Sequence, residues 1–257
     1  MAARSKLPPQ QAQPQARRGP RFAVVTGASR GLGLAIAEAL SGRGFHLILT
    51  ARHQPALDRI ASRLPDCSAF ACDVCEPESV ARLAAFVRGV LEVEKGGRRR
   101  KQLDVLINNA GIAGPSEPIA TLDYGTWRQV IDTNLNGTFL VTQALLPLLG
   151  HGSVIVNNLS VAARLSFPGM AAYNASKRGL MAFTETLREE VRPRGVRVVA
   201  LLPGATATGI WRQFWPEAPR KRMLSPRTVA EAVASAVTLP PNANLDELLL
   251  MPAAGTL

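Results

Sequence analysis

Tyr173 and Lys177 stand four residues apart in the stretch Y-N-A-S-K. On a helix that spacing puts both side chains on one face, within reach of each other. An ammonium beside a phenol favours the phenolate and lowers the tyrosine pKa from its reference of about 10, which makes Tyr173 a usable acid or base. Ser160 ends a preceding apolar run and can set a hydroxyl beside that phenol. A Tyr and a Lys at this spacing are often no more than a surface contact. What gives the pair weight is a glycine turn further upstream.

That turn is T-G-A-S-R-G-L-G, residues 26–33, between an apolar run and a helical segment. Gly27 allows the tight bend, Gly31 lets backbone N–H groups approach a phosphate, and Gly33 lets helix pack close to strand. Ser29, Arg30 and Leu32 belong to the same phosphate-facing turn. The letters also spell G-x-S-x-G, the elbow of a hydrolase with Ser29 as nucleophile. That reading needs an acid and then a His downstream, but the last His is His151, in mid-chain. It also needs strands ahead of the elbow to supply oxyanion donors, and only a polar tail precedes this one. A dinucleotide site is preferred. Such a site tests the adenosine ribose at the end of the second strand, where Asp or Glu accepts from both hydroxyls. From Phe45 to Leu57 there is no acid, and the strand ends Thr50-Ala51-Arg52. Arg52 and Arg30 together suit a 2′-phosphate, so NADP(H) is preferred over NAD(H). The alternative is a pair of solvated arginines.

These groups need elements to hold them. From Phe22 onward, apolar runs at 22–26, 45–50, 68–72, 103–108, 153–159, 196–202 and 245–251 read as strands. Most are apolar throughout, as in a parallel sheet covered by helices on both faces. Helical periods are expected near 32–43, 55–64, 77–94, 125–149, 170–192 and 226–238, which gives the alternation of a doubly wound α/β fold. Glu76-Pro77-Glu78 and Ser225-Pro226 mark two helix starts. Residues 96–101 form a basic loop, and 203–225 is a long irregular segment rich in proline and aromatics.

Length and composition agree with one domain of this size. The chain has 257 residues, is 47% hydrophobic, and carries 30 Lys and Arg against 19 Asp and Glu, a formal charge of +11. Arg4, Lys6, Arg17 and Arg18 lie in an acid-free, Gln/Pro-rich head, residues 1–20, expected to be a disordered tail. The tail also fits a mitochondrial presequence, but it lacks an apolar stripe, so a cytoplasmic protein is the preferred expectation. No apolar run reaches the roughly 18–20 residues of a membrane span. Specific nucleic-acid binding is not expected, because no reading helix or stacking aromatic set accompanies the charge. Cys67, Cys72 and Cys75 are odd in number and favour a reducing compartment. With His46, His53 and His151 they show no zinc spacing, so no metal is expected.

Taken together, the motifs resemble those of the short-chain dehydrogenase/reductases over nearly all of residues 22–251. They are the glycine turn, Asp73-Val74, N-N-A-G at 108–111, Asn134 in D-T-N-L-N-G, Ser160, Y-N-A-S-K, and P-G-A-T-A-T at 203–208. The resemblance implies a single doubly wound Rossmann domain over 21–257, with a seven-stranded parallel sheet and a substrate loop at 205–225. It implies that Tyr173 donates a proton to a carbonyl oxygen that Ser160 also binds. Lys177 would bind the nicotinamide ribose and depress the Tyr173 pKa, and Asn134 would hold a water linking Lys177 to solvent. Asp73 and Val74 would meet the adenine. Asn108, Asn109, Ala110 and Gly111 would line the adenosine side, and Pro203, Gly204, Thr206 and Thr208 the nicotinamide. Residues 92–101 and the end N-L-D-E-L-L-L-M-P at 244–252 depart from the family's usual pattern.

The expected activity is hydride transfer between NADP(H) and a carbonyl or secondary alcohol. Alternatives are the same chemistry on 3-hydroxy or 3-oxo acids, and a non-catalytic NADP(H)-binding sensor. Loss of Tyr173, Lys177 or Ser160 would mark the sensor, and none is lost. Trp211, Phe214 and Trp215 suggest an apolar or aromatic substrate, or equally a lid. The segment also carries the basic set Arg212, Arg220, Lys221 and Arg222, of which the cluster at 220–222 permits an anionic group on that substrate. The helices at 125–149 and 170–192 resemble those that pair in family dimers, so a homodimer or homotetramer is expected.

Overall fold

The computed structural model describes residues 20–92 and 102–255. The expected tail, apart from the exposed Pro20, and the 96–101 loop lie outside the described residues. The elements run β1 (Arg21–Thr26), α1 (Gly31–Ser41), β2 (Phe45–Ala51), α2 (Gln54–Ala61), β3 (Cys67–Ala71), α3 (Pro77–Glu92), β4 (Leu103–Asn108), α4 (Tyr124–Ile131), α5 (Gly137–Leu145), β5 (Leu149–Asn158), α6 (Ala171–Val191), β6 (Arg197–Pro203), α7 (Pro226–Val237) and β7 (Glu247–Leu250).

The sheet has the order β3-β2-β1-β4-β5-β6-β7, and each neighbouring pair is parallel. The order reverses between β1 and β4, and the crevice outside the carboxyl ends of the strands at such a point is where ligands bind. Strand residues alternate between two cores. Val25, Ile107 and Val156 pack with Ile36 and Leu40 of α1 and Val229 and Val233 of α7. Val24, Leu106 and Ile155 pack with Leu83 of α3, Leu145 of α5 and Leu187 of α6. Helices therefore cover both faces, which is why the strands read as unbroken apolar runs.

The single helix expected over 125–149 is corrected in two places. A π turn at Asp132–Asn136 separates α4 from α5. At the far end, Pro147 lies in a short 3₁₀ turn over Leu146–Leu148, and β5 starts at Leu149 rather than at 153. Proline has no N–H to continue the ladder, so the helix stops there. The expected irregular segment 203–225 contains two 3₁₀ turns, Gly209–Gln213 and Arg220–Arg222.

Both sequence-marked helix starts form. Pro77 opens α3 with Glu78 in its first turn, and the Ser225 Oγ accepts from the Thr228 N–H at 3.0 Å to cap α7. Ser225→Ala removes that cap and should cost about 1 kcal/mol. Urea unfolding would register it as a lower midpoint with an unchanged slope.

Candidate active site

The glycine turn docks on the loop that follows β4. Gly27 and Gly31 have φ of 63° and 60°, the left-handed region that side chains resist. A Cβ on Gly27 would lie 2.9 Å from Ala110 Cα, and one on Gly33 only 2.4 Å from Asn109 Nδ2. The N–H groups of Asn109 and Ala110 donate to Thr26 Oγ1 at 2.9 and 3.0 Å. Asn109 Nδ2 also donates to the Thr26 carbonyl at 2.9 Å. The glycines therefore serve contact between two loops as well as approach to a ligand.

This junction floors a cleft of about 1250 Å³ along the carboxyl ends of the sheet. Gly27, Ser29, Arg30, Gly31, Leu32 and Gly33 line one wall, and Arg52, Asp73 and Val74 the next. Asn109, Ala110 and Gly111 line it further along, followed by Pro203, Gly204, Thr206 and Thr208. One expectation is corrected. Asn108 is buried, and its Nδ2 donates to Thr142 Oγ1 and Asn157 Oδ1, each at 2.9 Å, so it faces the interior. Arg30 and Arg52 are exposed on the cleft, and neither has an ion pair among the described residues. Asp73 Oδ1 accepts from the Cys75 N–H at 3.0 Å, which fixes its carboxylate beside Val74. A glycine cradle at a helix N-terminus, one guanidinium on that turn and another just past β2, and a long cleft together fit a dinucleotide with a 2′-phosphate.

At the other end of the cleft α6 carries Tyr173 and Lys177. Ser160, just beyond β5, lines the cleft with Tyr173, and its Oγ accepts from the Ala162 N–H at 3.2 Å. Lys177 Nζ lies 5.6 Å from the Tyr173 ring centroid and donates to the Asn158 carbonyl at 2.8 Å. Burial pushes the Tyr173 pKa up, and the Ser160 hydroxyl opposes this. Burial pulls Lys177 down from 10.5 to about 7. The expected depression of the Tyr173 pKa by Lys177 is thus not what the geometry gives. The amine sits over the ring face and is turned to a carbonyl, and desolvation dominates.

Asn134 is fully buried in the π turn and does not line the cleft. Its Oδ1 accepts from the Ile112 N–H, and its Nδ2 donates to the Ile112 carbonyl, both at 2.8 Å. The same Nδ2 donates to Ser176 Oγ at 3.0 Å, and Ser176 Oγ donates to the Tyr173 carbonyl at 2.8 Å. The amide acts as a clamp between the β4 loop and α6. Ser176 and Asn158 are positioning residues that motif reading passed over, although one lies inside Y-N-A-S-K and the other shortly before Ser160.

The segment after β6 roofs the cleft. Trp211 Nε1 donates to the Thr206 carbonyl at 2.7 Å, and its ring meets Phe214 at 5.0 Å and Trp215 at 6.0 Å. Gln213 Oε1 accepts from the Ala113 N–H at 3.2 Å, tying the roof to the opposite loop. The cluster Arg220, Lys221 and Arg222, expected to permit an anionic group on the substrate, does not line the cleft, whereas Arg212 does.

The sequence model described as short chain dehydrogenase matches residues 21–219. This chain belongs to the short-chain dehydrogenase family. An uncharacterized oxidoreductase of Staphylococcus saprophyticus is 32% identical over 90% of this dehydrogenase and 97% of its own length. Sulfoacetaldehyde reductase 2 of Chromohalobacter salexigens is also 32% identical, over 89% of this chain and 93% of its own. The solved alcohol dehydrogenase of the archaeon Thermococcus sibiricus, complexed with 5-hydroxy-NADP, superposes with a TM-score of 0.83 at 29% identity, covering 93% and 99% of the two chains. In the present dehydrogenase no helix among the described residues is long and apolar enough to cross a membrane.

The buried amine makes stability depend on pH. The folded protein releases the Lys177 proton at about pH 7, whereas the unfolded chain keeps it to the ordinary value of 10.5. Between these limits the unfolded state binds more protons, so stability rises with pH, by up to about 1.4 kcal/mol per unit for this group. Urea unfolding at pH 7 and pH 9 should show Lys177→Met lacking about 2 kcal/mol of the wild-type increase. Equal pH dependence in both proteins would mean that Lys177 titrates normally.

Proposed function

We propose that this protein is an NADP(H)-dependent carbonyl reductase, reversible as an alcohol dehydrogenase, with Tyr173 as its acid and base. The observation that carries the reading is the meeting of Ser160, Tyr173 and Lys177 in the same cleft as the glycine turn, with Arg30 and Arg52 at the far end. The 5-hydroxy-NADP of the Thermococcus enzyme supports the cofactor assignment.

In this reading Gly27 to Gly33 receive the pyrophosphate, and Arg30 and Arg52 the 2′-phosphate. Asp73 and Val74 meet the adenine. Asn109 to Gly111 line the adenosine side, and Pro203, Gly204, Thr206 and Thr208 hold the nicotinamide. When bound, NADPH supplies a hydride to the carbonyl carbon and leaves as NADP⁺. The chain's own residues do the rest. Ser160 and Tyr173 hold the carbonyl oxygen, and the Tyr173 hydroxyl gives that oxygen its proton as it becomes an alcohol. Burial raises the Tyr173 pKa, so the donating form persists through neutral pH, which favours reduction there. Lys177, fixed on the Asn158 carbonyl, binds the nicotinamide ribose and sits beside the phenol that must be reprotonated. The Trp211 cluster keeps bulk water off the reacting atoms.

Free Cys67, Cys72 and Cys75 fit the reducing cytoplasm. The exposed Phe139 of α5, in ring contact with Phe183 of α6, fits a homodimer or homotetramer built on those helices.

Tyr173→Phe should lower NADPH oxidation with a carbonyl substrate by about 10²–10⁴ while leaving the thermal midpoint near that of wild type. Retained turnover would refute the role. Arg52→Ala and Arg30→Ala should each raise the Kd for NADPH about tenfold or more and leave the Kd for NADH nearly unmoved. A wild-type preference for NADH would sink the 2′-phosphate assignment.

A further inference from the structure

We infer that the carbonyl compound reduced in this cleft carries an acid group, a carboxylate or sulfonate, and that Arg212 receives it. This rests on the carbonyl-reductase reading and adds the substrate class to it.

The cations lining the cleft sort by partner. Arg30 and Arg52 stand on the glycine turn and at the end of β2, the adenosine end. Arg128 Nε lies 3.7 Å from the Asp132 carboxylate. Lys177 is buried and holds the Asn158 carbonyl. Arg212 remains, with no acid within ion-pair distance among the described residues. Its backbone is pinned on both sides. Trp211 is tied to the Thr206 carbonyl, and Gln213 reaches across to the Ala113 N–H. The backbone that carries Arg212 is therefore fixed at the roof, and its exposed side chain lines the cleft.

The surroundings give that charge leverage. Phe167, Met170, Ile210, Trp211 and Phe214 line the cleft with it. An anion drawn in among such groups loses water and needs a charged donor in return, and a guanidinium can meet a carboxylate or sulfonate with two parallel N–H bonds. The cleft-lining acids do not oppose it. Asp73 is capped on the Cys75 N–H, and Asp132 is paired with Arg128. Outside the cleft, the exposed Arg220, Lys221 and Arg222 extend the positive field over the approach. The acid group takes no part in the bond changes. Hydride reaches the carbonyl carbon from NADPH, the proton reaches its oxygen from Tyr173, and the acid leaves as it came.

Matched aldehydes test this. The kcat/KM values with NADPH are compared for 4-oxobutanoate against butanal, and for sulfoacetaldehyde against propanal, in the wild type and in Arg212→Met, Arg212→Lys and Arg220→Met. The expected result is an acid-to-neutral ratio of at least ten in one pair, which also tells carboxylate from sulfonate. That ratio falls at least tenfold in Arg212→Met, is partly restored in Arg212→Lys, and stays at the wild-type value in Arg220→Met. Wild-type preference for the neutral aldehydes overturns the substrate class while leaving the reductase reading intact. An equal fall in Arg220→Met assigns the effect to the general field and overturns the role of Arg212. No turnover of any of the four, with NADPH still bound by tryptophan quenching, overturns the reductase reading and this inference with it.

Discussion

A polar seam across the carboxyl ends of three strands holds the site together. Thr26 at the end of β1 accepts the N–H groups of Asn109 and Ala110 beyond β4. Asn109 Oδ1 in turn accepts from Asn158 Nδ2 at the end of β5 at 3.0 Å, and the Asn158 carbonyl takes the Lys177 amine. Buried polar groups are costly unless paired, so each link fixes the next. The result joins the phosphate-binding turn to the proton-transfer residues by a few hydrogen bonds. Relative placement of the two halves follows from this seam more than from the hydrophobic core, which packs the same strands but discriminates little between small shifts along them.

How much of this could be read from residues alone depends on the range of the interaction concerned. The strands were legible because burial on both faces leaves unbroken apolar runs, and the α3 and α7 starts because Pro and Ser act locally. The cleft set was legible through short motifs whose residues meet at strand ends, as Gly27, Asp73 and Gly111 do. Asn108 was misplaced because adjacent strand-end residues point in opposite directions, and nothing local says which asparagine of the pair faces in. The π turn left no periodic trace over five residues. The Gln213 contact with Ala113 spans the chain and has no signature in either neighbourhood.

Charge follows a similar division. The formal +11 describes the chain as a whole, but its chemical meaning lies in where individual cations find partners. Arg188, buried on the Val198 carbonyl and the Asp246 carbonyl, is structural. Arg164 pairs with Glu247 to bind the β5 loop to the last strand. Against these, Arg30, Arg52 and Arg212 line the cleft without an acid partner among the described residues, and Lys177 has been dried until its proton is loosely held.

The π turn at Asp132–Asn136 has a consequence for how this chain can change. A turn of this kind takes in one extra residue between the helices on either side of it. Upstream, α4 presents Val130 to the interior, and downstream α5 presents Val141 and Leu145. Gly137, where an added Cβ would come within 2.7 Å of Val74, lies at the junction. The wide turn absorbs its extra residue, so deleting one residue there would restore an ordinary helix and leave α4 and α5 facing nearly as before. Asn134, which the wide turn carries, would leave the Ile112 backbone, while the α5 stripe would stay on the sheet. Length in this short stretch is therefore tied to the Asn134 clamp and not to the packing of the two helices.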